Sequence, residues 1–309
     1  MAITSECTYQ DFELLFSEEI VKDLSDIGRS NECEFELPVF GYPTDTTDKY
    51  RNDFSSFLLP LTNRYSTPEM YLEVETSCDV WTEVSQLTDN TYGVLYDSFA
   101  TRPLWFGYKI QWHKVYSAEG VGCYRVKSVF TDITDATIKT SYSYKYNLRL
   151  WNENLADKTT KIKSVINGGK TGYVDNDKFV LNYKSEIWER EVRLPNSFFG
   201  FESSEYTKEY TRYKNGGQVH TLDQQKQTIL FNAKKLPYSL HKELSINYLQ
   251  ADEIYLSDFN LSNPNPDMYN NKQVIVNSAY EPKWNTYNSY ASIELQFNPY
   301  FENLRRKQC

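Results

Sequence analysis

Few stretches of this chain hold residue types at spacings that do chemistry. Gly168-Gly-Lys-Thr-Gly is one, because a glycine-rich loop ending in Lys-Thr cradles phosphate when a helix follows it. The full pattern needs a glycine at position 164, where Ser164 stands. No helical pattern follows Thr171, so a hairpin turn is the better reading. The three histidines are His113, His220 and His241. None has a cysteine, a carboxylate or a second histidine at metal-ligand spacing.

Carboxylate pairs occur at Glu73/Glu75 and Glu189/Glu191, each two residues apart on one strand face. A glycosidase needs its two carboxylates facing each other across a cleft, and neighbours on an exposed face do not supply that. Asp45–Asp48 and Asp132–Asp135 are acidic enough for calcium but lack the EF-hand spacing, so they read as solvated loops. Serine-nucleophile signatures are missing. Trp105, Trp112, Trp151, Trp188 and Trp284 would suit a sugar-stacking platform, although most tryptophans of a β protein pack in cores and interfaces. The expectation is therefore a chain without catalytic, cofactor or metal residues.

The elements that would position these residues are strands. Leu104–Trp151 carries the clearest pattern: two aromatic-rich runs about a glycine turn at Gly120–Gly122, then Ser141-Tyr-Ser-Tyr-Lys-Tyr-Asn-Leu-Arg-Leu-Trp. Period-two alternation predicts that Tyr142, Tyr144 and Tyr146 share one face with Leu148 and Leu150. Cys33–Val39 alternates around Pro38 and predicts an edge strand. Further strands are predicted at Met70–Glu75, Val80–Val84, Tyr92–Tyr96, Lys161–Ile166, Ile187–Leu194, Ile254–Leu256, Val274–Val276 and Ile293–Phe297. Asn167-Gly-Gly predicts a hairpin into Thr171–Val174, and Asn215-Gly-Gly the turn of a long hairpin over Tyr206–Leu230. Helical spacing appears at residues 9–28 and at Leu240–Leu249, where Leu240, Leu244 and Tyr248 share a face. The fold expected is all-β: an antiparallel β-sandwich core over residues 69–309, with long hairpins and one or two short helices. Residues 1–68 are expected to form an extended N-terminal arm.

Composition bounds the function. The 309 residues suffice for a sizeable core, and 26 tyrosines with 17 Phe and 6 Trp are a marked aromatic excess. Aromatics favour strands and supply rigid contact area at interfaces. A net charge of -9 argues against a dedicated nucleic-acid binder, which needs a basic stripe to displace counterions; Arg305-Arg-Lys is the one tight basic cluster. Five scattered cysteines without a CxxC fit neither a disulfide framework nor a zinc knuckle. Reduced thiols and synthesis in a cytoplasm are expected. The N-terminus does not read as a signal peptide, and no apolar run approaches a membrane span.

The second half shows a characteristic order of features. Arg193-Leu-Pro-Asn-Ser-Phe-Phe-Gly is followed by Glu209-Tyr-Thr-Arg-Tyr-Lys-Asn, by a Gln/Thr-rich strand and by Lys235-Leu-Pro-Tyr. Leu249-Gln-Ala-Asp-Glu-Ile-Tyr-Leu-Ser-Asp-Phe-Asn, Ser292-Ile-Glu-Leu-Gln-Phe and Arg305-Arg-Lys complete it. Over residues 105–309 this resembles virion structural proteins of the crAss-like tailed bacteriophages of Bacteroidetes, the ring subunits that stack into the tail barrel. The resemblance implies a non-enzymatic subunit of an oligomeric ring in a phage tail, made in the host cytoplasm. It further implies contacts with its own copies and with neighbouring tail or portal proteins, around a channel for DNA and ejected proteins. Tyr142, Tyr144, Tyr146, Trp284, Tyr287 and Tyr290 are the candidate interface residues. A glycan-binding or receptor-binding tail module is the alternative, and exposed co-planar Trp/Tyr rings with an Asn/Asp rim would favour it. A carbohydrate-active enzyme is a third possibility.

Overall fold

The computed structural model describes residues 36–41, 52–60, 69–77, 80–97, 105–132, 135–151, 159–167, 187–195, 197–214, 216, 218–258, 272–284, 290–299 and 303–305. In chain order the elements are β1 (Glu36–Gly41), β2 (Phe54–Pro60), β3 (Glu69–Ser77), β4 (Val80–Gln86), β5 (Gly93–Asp97), β6 (Trp105–Gln111), α1 (Trp112–Glu119), β7 (Gly122–Thr131), β8 (Ile138–Tyr142) and β9 (Lys145–Leu150). There follow β10 (Thr159–Asn167), β11 (Ile187–Pro195), β12 (Ser197–Arg212), β13 (Gln218–Pro237), α2 (Tyr238–Glu243), a π-helical turn (Leu244–Tyr248), β14 (Glu253–Asp258), β15 (Lys272–Val276), β16 (Lys283–Trp284), β17 (Tyr290–Pro299) and β18 (Asn303–Arg305).

These strands form three sheets. The first has the order β1-β9-β7-β3-β4, with β8 also on β7; the second is β2-β6-β5; the third runs β11-β10-β14-β15-β17-β13-β12, with β16 on β17 and β18 on β13. Pairing is antiparallel except at β1, which lies parallel to β9. The molecule is thus all-β and sandwich-like, as the alternation predicts. Pro38 sits in an edge strand, where its missing N–H costs no ladder bond. One contiguous core joins Leu72, Val126 and Leu148 of the first sheet, Tyr108 of the second, and Ile162, Leu256, Phe231 and Phe297 of the third.

Three expectations are corrected. The aromatic run after Gln111 is helical, not a strand. Trp112 and Val115, three residues apart, bury one face of α1, and Gly120 ends it at φ 85°, its N–H on the Tyr116 carbonyl. Packing outweighs the β preference of Trp, Val and Tyr here. Second, Tyr142 does not share the fate of Tyr144 and Tyr146. Lys127 lies opposite Tyr142 and Tyr124 opposite Tyr146, so four steps on one chain face three on the other. The extra residue is a bulge, and it reverses the strand phase. Ser143 closes it: its N–H donates to the Val126 carbonyl, while its Oγ accepts from Val126 N–H and donates to the Tyr144 carbonyl. Tyr144 and Tyr146 are buried, and Tyr142 lies on the outer face. Leu150, at the end of β9, is exposed although Leu148 is buried.

Third, strands β1 and β2 fall within the stretch read as an arm. β1 pairs with β9 and β2 with β6, so the sheets begin before residue 69. Residues 1–35, with the helical spacing at 9–28, lie outside the described residues. So do the Gly168-Gly-Lys-Thr-Gly turn, Thr171–Val174 and Asp45–Asp48.

The long hairpin predicted at Tyr206–Leu230 is present and longer. β12 has 16 residues and β13 has 20, paired from Ser197↔Ala233 to Arg212↔Gln218 with two bulges. Gly216 takes φ 81° in its turn. At ~3.3 Å per residue β13 spans about 66 Å. It pairs with β17 only from Ile229 onward and with β18 at Asp223–Gln225, so among the described residues its first half is flanked by β12 and β18 alone. Leu240, Leu244 and Tyr248 are buried on one face, as their spacing predicts, but the second turn is π-helical.

Candidate functional site

Three clusters of side chains carry the charge and the aromatic surface of this fold. The first is buried where the three sheets meet. Asp53 stands before β2, its backbone N–H on the Phe40 carbonyl of β1 and its own carbonyl accepting from Trp112 N–H. Its carboxylate accepts from Phe40 N–H at 2.8 Å, from Arg193 Nε at 2.8 Å and from Arg193 Nη2 at 2.7 Å. Lys161 Nζ lies 3.5 Å from Asp53 and 3.6 Å from Glu191, and Glu191 also accepts from Phe54 N–H. Lys161 and Arg193 are opposite each other on β10 and β11. A single carboxylate thus ties β1, β2, β10 and β11 together.

Burial opposes charge at Asp53, but Arg193 and Lys161 hold its carboxyl below the usual range. Burial pushes Glu191 up to about 7 against the pull of Lys161. Glu243 of α2 is raised to about 7 by burial against the pull of Arg190. Glu189 sits at the edge of the cluster; burial works against its charge, yet Lys109 and Lys163, each at 2.6 Å, lower it to about 2. A cavity of about 20 Å³ lies among Asp53, Ser55, Tyr146, Glu191 and Glu243, room for about one water. Asp53, Glu189 and Glu191 are matched by lysine and arginine partners, and the space beside them holds about one water. This is a structural joint.

The second cluster covers the outer face of the first sheet. The Arg125 guanidinium is held between the rings of Trp81 at 4.1 Å and Tyr142 at 4.0 Å, with its Nε on Glu73 at 2.7 Å. Lys127 and Lys145 reach Glu73 and Glu75. Cross-strand register explains the ladder, since Glu73 faces Arg125 and Lys127 faces Tyr142.

The third cluster is a surface patch where β16 meets α2. Trp284 is 46% and Tyr238 55% exposed, with ring centroids 5.8 Å apart and planes at 42°. Beneath them His241 is buried, its Nδ1 2.7 Å from Tyr280 Oη and its Nε2 3.3 Å from the Ala291 carbonyl. An Nε2–H donor and an Nδ1 acceptor satisfy both contacts in the neutral ring, and burial lowers the imidazole's affinity for a second proton.

The candidate interface residues therefore divide. Trp284 is on the surface; Tyr142 is half-buried against Arg125; Tyr144 and Tyr146 belong to the core. Tyr290 opens β17 opposite Pro237, while its side chain, and the whole of Tyr287, lie outside the described residues. Trp112 and Trp188 are buried, so the tryptophans do not line one platform. The carboxylate pairs are not solvated either. Glu73 is 6% and Glu191 7% exposed, and Asp132 of the loop read as solvated is also buried. His113 lies in α1 and His220 in β13. Asp53, Lys161 and Arg193 carried no sequence signal of their own: β10 and β11 hold six charged residues, Lys161, Lys163, Glu189, Arg190, Glu191 and Arg193, and nothing in their spacing marks the buried ones.

No protein-family model matches this sequence, and no curated protein sequence matches it.

Proposed function

We propose that this chain is a non-enzymatic virion structural protein, a subunit of an oligomeric ring in the tail of a bacteriophage. In that reading it lines part of the channel for DNA and ejected proteins and contacts its own copies and neighbouring tail or portal proteins. The hairpin β12–β13 carries the reading. Among the described residues its outer half has no strand beside it but the short β18, and the outer edge of β12 has none. A protruding, two-stranded arm is costly for a protein that works alone, because an open edge invites pairing with other chains. For a ring subunit it is a means of reaching the next subunit, in a head-to-tail contact that closes by rotation. Asp53 of the buried joint supports the reading too, since Arg193 and Lys161 commit its carboxylate to ion pairs. The sequence resemblance over residues 105–309 is what favours a phage tail as the setting of the ring.

Electron microscopy of the assembled particle, with this chain labelled, tests the proposal. Label in a ring of the tail is the expected result. A particle without the label, or a labelled chain confined to fibre tips, would overturn it. The glycan-binding alternative has Trp284 and Tyr238 in its favour, but their planes are tilted by 42°, which gives no flat platform for a pyranose face.

A further inference from the structure

Among the described acids around the buried joint, Glu243 is the one whose carboxyl accepts no hydrogen bond from a described residue. It closes α2, is 8% exposed and lines the cavity of about 20 Å³ where the sheets meet. Burial works against its charge, and Arg190 of β11 opposes that through charge alone. Two hydroxyls face it, Tyr146 of β9 and Tyr248 of the π-helical turn; burial, with the Glu243 charge added, keeps both protonated. Across the cavity, Asp53 is tied to Arg193, and Glu191 to Phe54 N–H with Lys161 at 3.6 Å. On α2 itself His241 and Lys242 precede it. Asp53 and Glu191 thus carry charge with partners at hand, whereas a charge on Glu243 is buried without a hydrogen bond to offset it.

The segment that carries Glu243 is held unevenly. His241 fixes the start of α2: its Nε2–H donates to the Ala291 carbonyl and its Nδ1 accepts from Tyr280 Oη. Beyond Glu243 the chain widens into the π-helical turn, with Leu249 N–H on the Leu244 carbonyl, a geometry found mostly as single turns at functional sites. Ser164 of β10 ties this turn to the third sheet through a hydrogen bond to the Asn247 carbonyl, long at 3.3 Å, and the buried Asn247 Nδ2 finds no acceptor among the described residues. The turn is thus held mainly by the burial of Leu244 and Tyr248. A segment so weakly bonded opens ahead of the whole fold, and an unpaired charge beneath it drives the opening. We propose that Glu243 and the cavity form a proton-operated latch: the neutral carboxyl lets the π-helical turn close over the cavity, and loss of its proton to solvent swings residues 243–249 outward about His241 and admits water. The latch is independent of the assembly reading.

Hydrogen exchange of the full-length chain between pH 6 and 8, corrected for the base catalysis of exchange itself, tests it. Low concentrations of urea separate local from global opening, because the area exposed sets the urea dependence. Opening of 240–249 is expected to depend little on urea and to grow roughly 10-fold over that range. Linkage requires this of a carboxyl that titrates near 7 when closed and near 4.5 when open. Burial already favours the neutral ring of His241, so raising the pH adds no charge there. Glu243→Gln keeps the shape without the charge and is expected to abolish the local response, and Glu191→Gln to leave it. A wild-type segment whose opening is indifferent to pH overturns the proposal, as does a full response in Glu243→Gln or its loss in Glu191→Gln. Should Glu243→Gln not fold, the wild type decides alone: a response of 240–249 with the same urea dependence as the amides of β7 is global unfolding and overturns the latch.

Discussion

Asp53 concentrates more of the fold in one side chain than any other residue described. Removing its charge leaves Arg193 and Lys161 buried with Glu191 as the remaining nearby acid, and breaking a buried pair in this way costs about 3–5 kcal/mol. Asp53→Asn is expected to show that loss in urea denaturation. The other acids of the joint give a pH dependence of definite sign. Glu191 and Glu243 titrate near 7 in the folded protein and near the ordinary 4.5 once unfolded. Between those values the folded state holds protons that the unfolded state has released. Stability therefore falls as pH rises from about 4.5 to about 7, and the loss is complete above 7. Asp53, lowered in the fold, contributes stability above its unfolded pKa that is lost as pH falls through its folded value. The joint is thus expected to be firmest in mildly acidic solution. Urea midpoints measured from pH 5 to 8.5 check this, and Glu191→Gln should flatten the decline. A profile that rises toward pH 8 in the wild type would show that Lys161 and Arg190 outweigh burial. None of this was legible in the sequence, because Asp53 lies in a polar stretch and its partners are 108 and 140 positions away in chain order.

At the scale of elements, the strands were legible because alternation follows directly from the pleat. Every interior strand of the third sheet named above keeps its predicted position. The failures have local physical causes. One inserted residue at Ser143-Tyr144 turned Tyr142 outward, and a period-two reading cannot see a bulge. The helix α1 is made of residues that prefer strands, and its signal was the burial spacing of Trp112 and Val115 with Gly120 behind them. Close approach is equally invisible from sequence. A Cβ on Gly93 would stand 1.9 Å from the Lys109 carbonyl oxygen on β6, a backbone atom that cannot swing aside. Gly93→Ala is therefore expected to separate β5 from β6 and to destabilise by about 3 kcal/mol or more, at the upper end of overpacking costs. Calorimetry would register it as a lower unfolding temperature. Ser143→Ala removes the hydroxyl that completes the bulge, leaving Val126 N–H buried without that acceptor, a cost of about 1–3 kcal/mol.

For the whole molecule, the fold class and the long hairpin were open to sequence reasoning, and the way the three sheets join was not. That joint and the core hold the three sheets together, whereas among the described residues the outer half of β12–β13 pairs only with itself and with β18. Stability and assembly should therefore be separable. Joining Ser204 to Gln227, which are directly opposite in the hairpin, through an Asn-Gly turn removes the outer arm and leaves a geometry suited to a two-residue hairpin. The shortened chain is expected to unfold within a few degrees of the wild type, since among the described strands those removed pair only with each other and with β18. It is also expected to fail to enter particles, or to yield none that are intact, when supplied in place of the full chain. Loss of folding would mean that the arm is part of the core, and particles assembled normally from the shortened chain would mean that subunits reach one another by other surfaces.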